Sequence, residues 1–181
     1  MHVGIGLPGT IPGVDGRLLI EWARRAEAGP FSSLASLDRV VYDNYEPMTA
    51  LAASAAVTHH ITLASTVVIA PVRNATILAK QAATVNAISA GRLVLGVGLG
   101  ARRDDYDATG TRYRGRGALL TDQIEKMRDV WEGAEVGPHA VGRPKLLVGG
   151  GGGLAGGRMA RYADGFVHNG GPPRAFARAA T

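Results

Sequence analysis

The segment from Ile61 to Gly100, ITLASTVVIAPVRNATILAKQAATVNAISAGRLVLGVGLG, constrains the fold of this chain most. It spells one strand–helix–strand unit that ends in a glycine loop. Ile61 to Ala70 is a β-branched and apolar run closed by Pro71, the pattern of a buried parallel strand. Leu78, Ala82, Val85 and Ile88 then recur at spacings of four, three and three, which is one face of a helix. Asn74 is placed to cap the start of that helix, and Gly91 to take the left-handed position after its end. Leu93 to Val97 is a second buried strand running straight into Gly96, Gly98 and Gly100. A parallel strand ending in glycines bares backbone N–H groups at the carboxyl end of its sheet, where α/β proteins hold anions.

The rest of the chain repeats this alternation. Val3–Leu7 reads as a strand, followed by a helix over Leu18–Ala28 that turns Leu19, Trp22, Ala23 and Ala26 inward. Ser33–Leu37 is the next strand. A helix over Pro47–Val57 has Pro47 in its first turn and Asn44 as its cap. After the central unit, Leu120, Ile124, Met127 and Trp131 mark another helix face, and Lys145–Val148 another strand. Five glycines, Gly149 to Gly153, lead into a short helix through Met159 and Tyr162, then a strand at Gly165–Val167. Pro172 and Pro173 open a last helical segment. Six β–α units in series with short connections predict an α/β fold of the (β/α)8 TIM-barrel type, incomplete at six units. No linker divides it, so residues 1–181 form one domain.

Composition narrows the function classes. The net charge of +5 comes mostly from scattered arginines with no lysine-rich block, which argues against a nucleic-acid partner. The chain has no cysteine, so it has neither a disulfide framework nor a thiolate metal site nor a cysteine nucleophile, as suits the cytoplasm. His59 and His60 are adjacent and make a poor metal pair, and no metal site is expected. Nothing approaches 18 continuous apolar residues, and MHVGIGLPG reads as a first strand rather than a signal peptide, so no membrane partner is expected. Gly96, Gly98 and Ala101 satisfy a loose dinucleotide fingerprint. Charged Arg102 to Asp105 follow it, however, not an apolar helix face, and it comes after the fourth strand instead of the first. No carboxylate pair or Ser-His-Asp set has the spacing for acid–base or nucleophilic work, a lack that cofactor-borne chemistry tolerates.

A family likeness then runs along nearly the whole chain. ILAKQAAT (Ile77–Thr84), SAGRLVLGVGLG (Ser89–Gly100), RRDDYDATG (Arg102–Gly110), LLVGGGG (Leu146–Gly152) and RYADGF (Arg161–Phe166) resemble the luciferase-like flavin monooxygenases, in family order. DRVVYDNYEPMTALAA (Asp38–Ala53) resembles the branch that uses the deazaflavin F420. The resemblance implies a flavin- or deazaflavin-dependent oxidoreductase acting on a small organic substrate, with F420 as cofactor, FMN as the alternative, and a homodimer. F420 would pass hydride to an organic acceptor, whereas FMN would activate oxygen. It implies that Gly98, Gly100 and Arg102 lie near the cofactor side chain and phosphate. A non-proline cis peptide at Thr66–Val67 would back the ring. Gly149, Gly150, Gly151 and Gly152 precede a helix and offer N–H groups to phosphate or to the flavin edge.

Asp38 and Arg39 are the catalytic candidates: they fall at the catalytic face, where F420-dependent relatives often carry Asp-His. Arginine in the histidine's place suits anion binding rather than proton transfer. His168 ends the sixth strand on the same face, towards substrate, and Arg73, Arg102 and Arg103 would attract the anionic tail of F420. Family barrels have eight strands and about 250 residues. The chain is therefore expected to be a fragment, a shortened homologue or a barrel completed by a partner, with strand edges left open. A non-catalytic flavin-binding protein or inactive homologue is the alternative function.

Overall fold

Parallel strands carry the architecture. The computed structural model describes residues 2–150, 154–168 and 174. Its strands are β1 (Gly4–Gly6), β2 (Ser33–Ser36), β3 (Thr62–Ser65), β4 (Val68–Ile69), β5 (Leu93–Gly98), β6 (Lys145–Gly150) and β7 (Gly165–His168). The sheet order is β1-β2-β3-β5-β6-β7, with β4 beside β5, and every pairing is parallel. The result is a curled sheet of six strand positions, a half-barrel. Its outer strands, β1 and β7, each have one edge without a strand partner among the described residues.

The helices are α1 (Gly16–Ala28), α2 (Pro47–Ala55), α3 (Ala75–Ile88), α4 (Arg103–Ala108), α5 (Arg116–Glu132) and α6 (Leu154–Tyr162). Successive strand side chains point to opposite faces. Leu34, Leu63, Leu93, Leu95, Leu146 and Val148 form one face, buried in a single core with Leu19, Leu51, Leu78, Ile124 and Met127 of the helices. The alternate row, Ala35, Ala64, Val94 and Leu147, stays part-exposed on the concave side. Strands expected to be buried on both faces are thus fully buried on one. The apolar run concealed the alternation because the concave positions carry small or apolar residues too.

Local signals mostly hold. Asn74 Oδ1 accepts the Ile77 N–H at 3.0 Å, and Gly91 is left-handed at φ +86°. For α2 the cap is Glu46, whose Oε2 accepts the Thr49 N–H at 2.7 Å, while Asn44 donates to the Tyr45 carbonyl. Pro47 at the first helical position makes the preceding residue the cap, and Asn44 lies too far upstream. His59 and His60 lie at the amino end of the strands, where their N–H groups donate to Glu27. The segment opened by Pro172 and Pro173 lies outside the described residues. No helix among the described residues is long and apolar enough to cross a membrane.

The third strand departs most from expectation. It breaks into β3 and β4, and its register against β5 slips between the halves. Leu63 and Ala64 pair with Leu93 and Val94, but Val68 and Ile69 pair with Val97 and Gly98. One extra residue is therefore accommodated around Ser65–Val67, which is a bulge.

Candidate cofactor site at the carboxyl ends of the strands

The bulge sits near the carboxyl end of the sheet, and its Thr66–Val67 peptide is cis, at the bond expected from the resemblance. The ladder to β5 is interrupted here, and Ser65 repairs it. Its Oγ lies 2.9 Å from the Gly96 N–H, which it accepts, and 2.9 Å from the Gly96 carbonyl, to which it donates. Two buried backbone groups that a bulge would orphan are thereby satisfied by one hydroxyl.

The glycines around the bulge answer to Val67. A Cβ on Gly98 would lie 2.6 Å from Val67 Cγ2, and one on Gly149 would lie 2.8 Å from Val67 Cγ1. On Gly96 it would meet the Ser65 carbonyl at 2.2 Å. Gly98 and Gly149 thus first serve to let the Val67 side chain lie across β5 and β6. Gly100 differs: it is left-handed at φ +66°, and the Ile69 side chain crowds its Cβ position. Thr66 and Val67 themselves remain part-exposed, as do Gly100, Gly149 and Gly150. Gly151 and Gly152 lie outside the described residues.

Ion pairs tie the surrounding loops together. Asp38, fully buried at the exit of β2, accepts the Ile69 N–H at 2.7 Å and both terminal nitrogens of Arg73 at 2.6 and 3.0 Å. Arg73 also reaches Glu46 at 3.2 Å. Arg39 is held by Asp105 at 2.8 Å and Asp104 at 3.2 Å. Asp105 accepts the Val40 and Val41 N–H groups as well, each at 2.8 Å. Burial alone would raise the Asp105 carboxyl, but the hydrogen bonds from Val41, Arg39 and Val40 outweigh it and hold the group below the usual carboxylate range. Asp38 and Arg39, named as catalytic candidates, are thus engaged in holding loops.

Arg102 is the residue before α4, a short helix that no apolar periodicity in the sequence announces. Its side chain is mostly exposed, 3.5 Å from Asp104. Tyr106 of α4 is buried and its hydroxyl donates to the Leu99 carbonyl, and burial pushes it up to about 12 despite nearby Arg116. His168 ends β7 opposite Gly150, part-exposed, with its ring 6.3 Å from that of Phe166.

The structure therefore gathers Thr66, Val67, Gly98 and Gly149 at one place. Gly150 and His168 lie beside them at the exits of β6 and β7, with Gly100 and Arg102 in the loop after β5. Sequence reasoning missed Ser65 and Asp105. Ser65 reads as an ordinary strand residue, and the Asp105 contacts lie more than sixty positions away in the chain, at Arg39 to Val41.

The model of the luciferase-like monooxygenase family matches residues 1–181. The chain belongs to that family. An uncharacterized protein of Mycobacterium tuberculosis is 29% identical over 195 aligned residues, spanning 88% of this chain and 67% of its own length. The F420-dependent tetrahydromethanopterin reductase of Methanopyrus kandleri superposes with a TM-score of 0.78 at 22% identity, covering 98% of this chain and 58% of the reductase. The oxygenating constituent of 3,6-diketocamphane monooxygenase from Pseudomonas putida, a type II Baeyer–Villiger monooxygenase solved with FMN, gives 0.71 at 20% identity, covering 83% and 51%. These likenesses show the fold. The chain spans little more than half the length of the solved structures it matches.

Proposed function

We propose that this chain forms the cofactor-binding part of a flavin- or deazaflavin-dependent oxidoreductase, with F420 preferred over FMN and a small organic molecule as substrate. One observation carries the reading. At the carboxyl ends of β4, β5 and β6, the Thr66–Val67 bulge lies over buried Gly98 and over Gly149, leaving a shelf that is part-exposed at Thr66, Val67 and Gly149, with no larger side chain on those two glycine positions. A flat ring fits such a shelf. Thr66 and Val67 would back it, while the backbone of Gly98–Arg102 and Gly149–Gly150 would face its side chain and phosphate. The bound cofactor supplies hydride to an organic acceptor if it is F420, or reducing power for oxygen activation if it is FMN.

The chain's own residues would orient and enclose. Asp38 and Arg39 act as positioning residues through their ion pairs, and His168 faces the substrate from the end of β7. The families of two solved relatives support the two cofactors, one described as F420-dependent and the other holding FMN. A homodimer accompanies this reading on the family resemblance alone. The engagement of Asp38 and Arg39 in ion pairs favours a second reading, a flavin-binding protein without turnover.

Titration with F420 and with FMN, followed by cofactor fluorescence, tests the proposal. Saturable binding is expected, tighter for F420, and failure of both to bind overturns it. Oxidation of reduced cofactor by the pure protein with an added acceptor would exclude the second reading.

A further inference from the structure

The arginines at the carboxyl-end face fall into two groups. Arg39, Arg73, Arg102 and Arg103 each have a carboxylate within 4 Å. Arg112, Arg114 and Arg116, in the segment RYRGRG that enters α5, have no such carboxylate among the described residues. Three unneutralised guanidinium groups within five positions are costly unless solvent or an anion serves them. Helices in a β/α fold run back from the carboxyl ends of the strands, so the first turn of α5 lies on the same face as the proposed cofactor shelf.

The segment is also held in place. The Thr111 N–H donates to the Tyr106 carbonyl at 3.0 Å. The Tyr113 hydroxyl donates to the Ala101 carbonyl at 3.3 Å, directly after the β5 glycine loop. The Tyr113 ring meets buried Tyr106 edge-on, with centroids 5.1 Å apart, and the Arg116 guanidinium lies over the Tyr113 ring, 3.8 Å from its centroid. Arg116 Nε is buried without a hydrogen-bond partner. Arg112 and Arg114, the sequence neighbours of Tyr113, remain exposed. A fixed basic strip thus begins where the proposed phosphate cradle ends.

We propose that Arg112, Arg114 and Arg116 form a docking strip for an extended oligo-carboxylate tail on the bound cofactor. The inference rests on the cofactor reading above, and it sharpens the choice of F420, whose tail is anionic, over FMN, which ends at its phosphate. Guanidinium groups match carboxylates in planar, two-point geometry. Each exposed charge pair is worth about two- to fivefold in affinity, so three engaged together give a gain on the order of tenfold that salt weakens.

The test compares F420 carrying a long oligoglutamate tail with F420 stripped of its glutamates, in low and high salt. Both are titrated into the wild-type chain and into the double variant Arg112→Ser/Arg114→Ser. Arg116 is left in place because it packs on Tyr113, and circular dichroism checks that the variant is folded. The expected result is about tenfold tighter binding of the tailed form to wild type at low salt. That advantage should shrink at high salt and fall to about two- to fivefold in the variant, where Arg116 alone remains, with tail-free affinity unchanged. Equal binding of the two forms to wild type, or an advantage undiminished in the variant, overturns the tail strip while leaving the cofactor reading intact. Failure to bind even the tail-free form overturns the cofactor reading itself. Tighter binding of a single-stranded oligonucleotide, lost with the same two arginines, would also overturn the proposal and assign the strip to nucleic acid.

Discussion

At the scale of single residues, Val67 explains more of this site than the glycines beside it. Gly98 and Gly149 look like phosphate-loop glycines, yet the space their missing Cβ atoms would fill is taken by the Val67 isopropyl group. Gly98→Ala should therefore destabilise the chain by overpacking, by roughly 1–3 kcal/mol. Val67→Ala removes the two Cγ atoms responsible, so the double variant should recover most of that loss. A denaturant-unfolding cycle on the four proteins measures the coupling, expected at about 1 kcal/mol or more; simple additivity would show that something other than Val67 requires the glycine. The identity of these glycines was legible in the sequence, but their reason was not. It depends on a side chain from another strand, some thirty positions earlier for Gly98 and some eighty for Gly149.

At the scale of elements, the loops that shape the mouth are joined by ion pairs. Asp38 links the exit of β2 to the exit of β4 through Arg73 and the Ile69 N–H, with Glu46 extending the link to α2. Breaking a buried pair from one side leaves an under-compensated charge, so Asp38→Asn should cost about 3 kcal/mol in stability. By contrast Arg25→Ala, which removes an exposed pair with Glu21 on α1, should change stability by less than about 1 kcal/mol. Urea midpoints for the two variants check both values, and equal effects would mean that Asp38 is not a latch. Helices and strands themselves were largely readable, because periodicity, caps and prolines act over a few residues. The break between β3 and β4 was not readable from propensity. Ser65, Thr66 and Val67 are ordinary strand residues, and only the family resemblance pointed to that bond.

For the whole molecule, acid should be the destabilising direction. Asp164 joins the start of β6 to the start of β7. Its carboxyl is lowered from 3.8 to about 2, first by the hydrogen bonds of Arg143, with burial opposing and the Leu146 N–H assisting. Asp105 and Glu46 are also lowered, because hydrogen bonds and nearby arginines outweigh their burial. A carboxylate with a folded pKa below its unfolded value contributes stability in full above the unfolded pKa, and loses it as pH falls through the folded one. Stability should thus be nearly flat with respect to these groups above about pH 5 and fall between about pH 4 and 2. Unfolding midpoints measured from pH 7 down to pH 2 check this, and Asp164→Asn should make the fall shallower. Stability that increased on acidification would contradict it.

The amino-acid order alone settled the succession and parallel arrangement of the β–α units and the clustering of glycines at strand ends. It determined the family as well. These features are written in short-range periodicity and contiguous motifs. Long-range packing settled the rest: one sheet face is packed while the other stays part-exposed, Asp38 and Arg39 are engaged in loop latches, and Val67 fills the space beside Gly98 and Gly149. Each of these depends on which distant side chain arrives at a given point, and that is set by strand register and the curl of the sheet.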